Sequence, residues 1–349
     1  MVLEMEQFQG ELIDRVFDRG ICVKCGACVG LCPYFRYFDG IVAVMDRCVA
    51  GTGRCVQVCP RAGYKSTAPQ ENATDGNGIG IYRSVFKARA SVDTLHEGVQ
   101  YGGVVTALLA YGIENSFFGG AIVTDREGAL APSGMLAESV TDIARCAGSR
   151  YSAAGSLAVF NKAIKDGKGN LAVVGLPCQM EALERMKHSI PDGAQRESAV
   201  SLRIGIFCTW ALDYRMLKDF LRANGVTGAV KKYDIPPPPS EKFVVFTEQG
   251  RREFPLMEIR GLVQKGCSLC RDMTAEHADI SIGTVEGEEQ WNTVVLRTEK
   301  GEAFFEEALN KNIVEKAQLP DQNLNHLSTA SRNKRKRGKN AELELSREG

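Results

Sequence analysis

From position 81 onward, short apolar runs alternate with stretches of helical spacing, and this alternation predicts an α/β domain. Ile81 to Ala90, Ala121 to Thr124, Leu171 to Val174 and Leu202 to Phe207 read as strands. Helices are expected over Tyr101 to Glu114, entered through Gly102-Gly103, and over Asn161 to Lys165, Pro177 to Met186 and Tyr214 to Ala223. Pro236 to Pro239 is a stiff surface turn. Phe243 to Thr247 and Arg252 to Pro255 form a hairpin around Gln249-Gly250. Asp279 to Gly283 and Thr293 to Thr298 are short strands, and Glu302 to Asn310 is a terminal helix.

The first part of the chain lacks this alternation and is dominated by cysteine. Residues 1–65 are expected to form a small iron–sulfur module of ferredoxin-like βαβ type. Residues 66–80, rich in Gly, Asn, Pro and Thr, are a linker. Residues 81–325 form the α/β (α+β) domain, and 326–349 a basic, disordered tail carrying Arg332, Lys334, Arg335, Lys336, Arg337 and Lys339.

Composition narrows the function. Lys plus Arg and Asp plus Glu are each 43 in 349 residues, so the net charge is zero and a chain-wide basic face for nucleic acid is excluded. Hydrophobic residues reach 44%, too many for a charge-driven disordered chain. No run is apolar enough to span a membrane, and the acidic first twenty residues do not read as an export signal, so a cytoplasmic protein is expected.

Twelve cysteines in a chain of this size read as thiolate ligands rather than disulfides. Cys22-x2-Cys25-x2-Cys28-x3-Cys32-Pro33 is the bacterial ferredoxin run, whose fourth cysteine serves the other cluster of a pair. Cys55-x3-Cys59-Pro60 supplies the second half. By this crossed rule Cys22, Cys25, Cys28 and Cys59 hold one cluster, and Cys32, Cys48 and Cys55 a second. The second half departs from the regular run: one residue is inserted and Thr52 stands where the middle cysteine belongs. Three thiolates suit a [3Fe-4S] cluster, or a [4Fe-4S] cluster with a non-cysteine ligand.

Cys178 and Cys208 each follow a buried strand, and Cys267-x2-Cys270 lies further on. Ligands gather at the C-terminal ends of strands in an α/β sheet, so these four can form one site. A redox dithiol or half a zinc site stays open for the C-x2-C pair. Cys146 reads as a buried structural thiol. His96, His188, His277 and His326 are too scattered for a metal or acid–base centre, and neither a Rossmann glycine fingerprint nor a P-loop is present.

Five segments in order carry a family resemblance: the ferredoxin run; Tyr101 to Leu108; Val174-Gly175-Leu176-Pro177-Cys178-Gln179; Ile204 to Cys208; and Lys265 to Asp272 with Ala278 to Gly283, Trp291-Asn292-Thr293 and Arg297-Thr298. From about residue 15 to 315 the chain resembles the beta subunits of coenzyme F420-reducing hydrogenase and F420-dependent formate dehydrogenase. The resemblance implies FAD, F420 as substrate, and a [4Fe-4S] cluster on Cys178, Cys208, Cys267 and Cys270. It implies hydride exchange between F420 and FAD with no catalytic side chain. It also implies FAD contacts at Gly102, Gly103, Thr106, Ser149, Tyr151, Gly175, Pro177, Asp279, Thr284, Trp291, Asn292 and Thr293. The implied partner is a larger redox complex of hydrogenase, formate dehydrogenase, heterodisulfide reductase or F420H2 dehydrogenase type. A free-standing FAD and iron–sulfur reductase fed by ferredoxin or NAD(P)H, and a flavin-free wiring subunit, are the alternatives. Glu286, Glu288 and Glu289 depart from the family's weakly charged loop and would repel the anionic F420.

Overall fold

The computed structural model describes residues 12–46, 53–63, 77–91, 100–125, 132–236 and 240–347. The N-terminal module begins with a π-helical turn, Ile13–Phe17, followed by β1 (Phe35–Phe38) and β2 (Ile41–Val44) and the short helix α1 (Arg54–Val58). The expected βαβ arrangement is corrected here. β1 and β2 are antiparallel and consecutive, with only Asp39-Gly40 between them, and a crossover helix needs a dozen or more residues. Cys48, Thr52 and residues 66–76 of the expected linker lie outside the described residues.

The main domain holds β3 (Ser84–Ala90), α2 (Val104–Glu114), β4 (Gly120–Thr124), β5 (Gly134–Ala137), α3 (Val140–Arg145), α4 (Ser156–Lys165), β6 (Leu171–Gly175), α5 (Pro177–Lys187), α6 (Gly193–Ala199) and β7 (Val200–Ile206). It continues through α7 (Tyr214–Ala223), β8 (Val230–Asp234), β9 (Lys242–Thr247), β10 (Gly250–Pro255), α8 (Leu256–Arg260), β11 (Ile280–Val285), β12 (Glu288–Leu296), α9 (Glu299–Asn310), β13 (Val314–Ala317) and α10 (Asp321–Arg347). Eight strands form one sheet in the order β13-β3-β12-β11-β7-β6-β4-β5. Its centre, β11-β7-β6-β4, is parallel, and the flanking pairs are antiparallel. β4 and β6 are almost wholly buried, as helices on both faces of a parallel sheet require.

One face of the sheet is covered by α2 and α9, with Leu108, Phe118 and Phe305 fully buried. On the other face Leu157 and Phe160 of α4 pack with Met180 and Met186 of α5. Val23, Ala27, Leu31 and Val58 of the N-terminal module enter this second core. Each buried Val or Leu contributes about 1.5–3 kcal/mol, so the module is anchored by burial. Asn161 adds hydrogen bonds from Nδ2 to the carbonyls of Ala27 (2.9 Å) and Val29 (2.7 Å). β8, β9 and β10 form a separate sheet that packs with α7 and α8. Helix α7 starts where its sequence predicts, because Asp213 accepts from the N–H groups of Arg215 and Met216.

The C-terminal segment is also corrected. The helix expected to be terminal, α9, is followed by β13, and the expected disordered tail is the 27-residue helix α10. Its charges find partners: Arg335 pairs with Glu276, Glu342 with Arg271, and Arg337 donates to the Thr209 carbonyl. Ser328, Ser331, Lys334, Gly338 and Leu345 turn inward. No helix among the described residues is long and apolar enough to cross a membrane.

Candidate functional site: a strand-end cavity beside three cysteine groups

A cavity of about 600 Å³ opens at the C-terminal ends of the four parallel strands. Thr124, Gly175, Ile206 and Ile282 bring those ends to its wall, the position where open α/β sheets bind ligands. Its volume is that of a small-molecule or cofactor site.

Gly103, Val104, Val105 and Thr106 present the start of α2 to this cavity. Gly103 caps the helix in the left-handed region, with φ of 68°. Asn292 secures the cap from β12: its Oδ1 accepts from Val104 N (3.3 Å) and its Nδ2 donates to the Gly283 carbonyl (3.1 Å). Gly102 lies behind the wall, where a Cβ would stand 2.7 Å from Asn292 Oδ1 and 2.9 Å from the Ala88 carbonyl. The close packing here leaves no room for a side chain.

Ser149, Tyr151, Gly175, Thr284, Asn292 and Thr293 also line the cavity, together with Gly103 and Thr106. Pro177, Asp279 and Trp291 do not. Pro177 occupies the first turn of α5, where a missing N–H costs nothing. Asp279 accepts from Arg203 N (2.8 Å) and the Thr298 hydroxyl (2.8 Å) and pairs with Lys300, so it braces the sheet. Trp291 stacks with Lys87 and Arg89, 4.9 and 4.8 Å from its ring centre.

Sequence reasoning missed several wall residues. Gln100 accepts from Ser149 N (2.8 Å) and donates to Asp234 (3.0 Å), which also accepts from the Tyr101 hydroxyl (3.3 Å). Tyr101 and Tyr151 both have left-handed backbones, with φ of 56° and 57°. Each carries a cost of order 1–3 kcal/mol, the kind of strain that collects at functional sites. Arg150, Phe207, Trp210 and Arg260 complete a wall of aromatic and cationic groups. Cys146, expected as an inert buried thiol, is half-buried and faces the same cavity. Arg150 was signalled only by its place between Ser149 and Tyr151. Nothing in the spacing marks Arg260, which ends α8 beside a different sheet.

The acidic stretch is a tight hairpin turn at Glu286-Gly287 rather than a loop of three free acids. Of the three, Glu286 reaches the cavity, and it pairs with His326 (2.8 Å). Glu288 pairs with Lys87 (2.5 Å). The expected repulsion is thus partly balanced within the fold.

Burial and mutual charge raise most of the described cysteine thiols, and the interactions run between the expected ligand sets as well as within them. Burial and then Cys59 push the Cys22 thiol up to about 12 and raise Cys25 as well. Cys28 is raised by burial and then by Cys22, Cys25 and Cys59. Cys55, held at about 12 by burial, is next raised by Cys32. Cys178 is raised by burial, Cys25, Cys270 and Cys208. Cys208 sits at about 12 through burial, with Lys334 lowering it and Cys267 and Cys270 raising it. Cys48 is outside the described residues.

An iron–sulfur cluster is tested by this donor set. The donors are all sulfur, buried or half-buried, and repel one another as thiolates, so they suit a polycationic iron core. Backbone N–H groups approach three of the sulfurs at 3.4 Å: Lys24 at Cys22, Arg61 at Cys59 and Ala211 at Cys267. Arg61, 7% exposed, feels Cys270, Cys178 and Cys267 as well as Cys59, and its Nη2 has no hydrogen-bond partner among the described residues. That orphaned donor fits an acceptor supplied by a bound group. No set of His, Cys, Asp and Glu among the described residues is tight enough for a single metal ion, and a cubane spreads its thiolates wider than one ion does. The residues fit clusters.

Comparisons with known proteins show the family. Residues 85–161 match the family model for the coenzyme F420 hydrogenase/dehydrogenase beta subunit N-terminus, and 168–322 that for its C-terminus. The coenzyme F420-dependent sulfite reductase of Methanocaldococcus jannaschii is 33% identical over 87% of this chain, which spans 49% of that protein. The coenzyme F420 hydrogenase subunit beta of Methanothermobacter thermautotrophicus is 30% identical over 68% of this chain and 85% of its own. A chain of the F420-reducing [NiFe] hydrogenase complex from Methanosarcina barkeri superposes with a TM-score of 0.69 at 26% identity, covering 76% of this chain and 92% of that one. The relatives are oxidoreductases, and with both halves of the main domain matched, the chain belongs to the coenzyme F420 hydrogenase/dehydrogenase beta subunit family.

Proposed function

We propose that this chain is the electron-input subunit of an F420-linked oxidoreductase complex, holding FAD in the strand-end cavity and iron–sulfur clusters on the three cysteine groups. The observation that supports this reading is Cys208, which is raised by Cys267 and Cys270, itself raises Cys178, and also stands in the cavity wall. A two-electron carrier in the cavity and a one-electron carrier on the cysteines would then share a border. FAD, when bound, supplies the exchange between hydride and single-electron chemistry.

The chain's own residues would bind and orient. The first turn of α2, opened by Gly103, offers N–H groups and the positive end of its dipole to a pyrophosphate. Arg150 and Arg260 place further positive charge on the wall, suited to the phosphates of FAD and F420. Phe207, Trp210, Tyr101 and Tyr151 provide aromatic surface and exclude water. No acid–base side chain is required, which agrees with the scattered histidines.

Cys22, Cys25, Cys28 and Cys59 would hold a [4Fe-4S] cluster next to the Cys178 group, since Cys178 feels Cys25 directly. Cys32 and Cys55 with Cys48 would hold the outermost cluster and face the partner oxidoreductase. The test is composition. Anaerobically purified protein should carry one FAD and eleven or twelve irons per chain, about eight if the half containing Thr52 is empty. Absence of flavin would refute the reading.

A further inference from the structure

Helix α10 lies almost entirely beyond the matched family segment, which ends at residue 322. It is built to lie on the Cys178 group. At Gly338 a Cβ would stand 2.9 Å from the Cys270 carbonyl and 2.8 Å from Arg271 Cγ, so the helix backbone rests on the C-x2-C segment. Glycine is less favourable than alanine inside a helix, and this contact accounts for it. One turn earlier Lys334 points the same way. Its Nζ donates to the Cys208 carbonyl at 2.5 Å, and the residue as a whole is 3% exposed. Leu345 enters the apolar core of the N-terminal module, and Arg19 donates to its carbonyl. The helix is thus pinned on both sides of the cysteines.

A buried ammonium is costly unless a negative charge answers it. The carbonyl of Cys208 is a neutral acceptor. The negative groups around Lys334 are Cys270, Cys208, Asp272 and Cys267. A cluster on four thiolates is anionic, and each reduction adds one electron and one negative charge to it. A cation fixed beside it favours the reduced form.

We propose that Lys334 is a positioning residue that raises the reduction potential of the cluster held by Cys178, Cys208, Cys267 and Cys270, and that α10 exists to deliver it. This rests on reading those four cysteines as one set of cluster ligands. With the cluster bordering the cavity, a raised potential makes it a better acceptor for the first electron leaving a reduced flavin.

The experiment is a redox titration of the intact, iron-loaded protein followed by electron paramagnetic resonance, with iron content measured in parallel. The signal of this cluster is identified by its loss in Cys267→Ser. In Lys334→Gln the ratio of reduced to oxidised cluster should fall about tenfold at the wild-type midpoint, a shift of about 59 mV for one electron. Lys334→Arg should restore the wild-type midpoint. A Lys334→Gln protein with full iron and an unchanged midpoint overturns the proposal. So does loss of iron from Lys334→Gln, which would make the residue structural. Wild-type protein with no signal sensitive to Cys267→Ser overturns the ligand reading itself, whereas the first two results leave that reading standing.

Discussion

Arg61 Nε donates to the carbonyl of Gly266 at 3.2 Å, joining the end of the ferredoxin run to the loop that carries Cys267, 205 residues away. The same guanidinium faces Glu181 at 3.6 Å, and its backbone N–H reaches Cys59 Sγ. Two cysteine groups therefore share one cation. Arg61→Ala should cost about 1.5–3 kcal/mol, the range for hydrogen bonds to a charged group, because Arg185 still neutralises Glu181. Denaturant unfolding checks the magnitude. Iron content should fall in both groups, and loss from only one would show that the residue does not bridge them.

Gly283 fixes the position of Phe207 in the cavity wall. A Cβ at residue 283 would stand 1.9 Å from the Phe207 ring, which must then swing into the cavity or away from it. Gly283→Ala should cost about 1–3 kcal/mol through overpacking. It should also reduce bound flavin well below one per chain, read by absorbance after acid release. Full flavin occupancy would place the cofactor elsewhere.

Asn292 caps α2 and ties β12 to β11 through one side chain. Asn292→Ala removes the acceptor for Val104 N and should cost about 1 kcal/mol in stability. The same change should weaken FAD binding, because the helix start that it holds faces the cavity. Equilibrium dialysis with FAD checks this, and unaltered affinity would show that α2 does not contact the cofactor.

Asp192 makes an acid-sensitive joint between the N-terminal module and α6. It pairs with Arg54 (3.0 Å) and Arg196 (2.9 Å). Burial pushes its carboxyl up, but Arg196 and then Arg54 more than offset this, leaving it below its ordinary 3.8. A lowered carboxyl pKa contributes stability that is present above 3.8 and lost as pH falls through the folded value. The stability gap between wild type and Asp192→Asn should hold from pH 7 to about 5 and close below 3.8. Urea midpoints across that range measure it. A gap independent of pH would rule out the charge as its source.

Much of this site was legible in the sequence because its chemistry is local. The spacing of Cys22, Cys25, Cys28 and Cys32 is itself the argument for the proposed iron–sulfur site and needs no tertiary information, and the apolar runs of β4, β6, β7 and β11 alternate with helices as an α/β sheet requires. The helix α7 is legible end to end because Asp213 caps it and Leu217 and Leu221 repeat on one face. What escaped depends on distant partners. The basic run of α10 reads as a solvated tail until Glu276 and the Cys208 and Thr209 carbonyls are placed beneath it. Trp291 and Asn292 are neighbours in sequence, yet only the second faces the cavity. Arg260 and Gln100 reach the wall from separate elements, and no periodicity connects them.

Hydride from F420H2 is proposed to enter through a flavin in the strand-end cavity. The most direct test is to mix anaerobic, iron- and FAD-loaded protein with F420H2 in a stopped-flow spectrophotometer. The account predicts rapid bleaching of the flavin band followed by loss of iron–sulfur absorbance. Bound FAD that stays oxidised with F420H2, yet is reduced by ferredoxin or NAD(P)H, would contradict it.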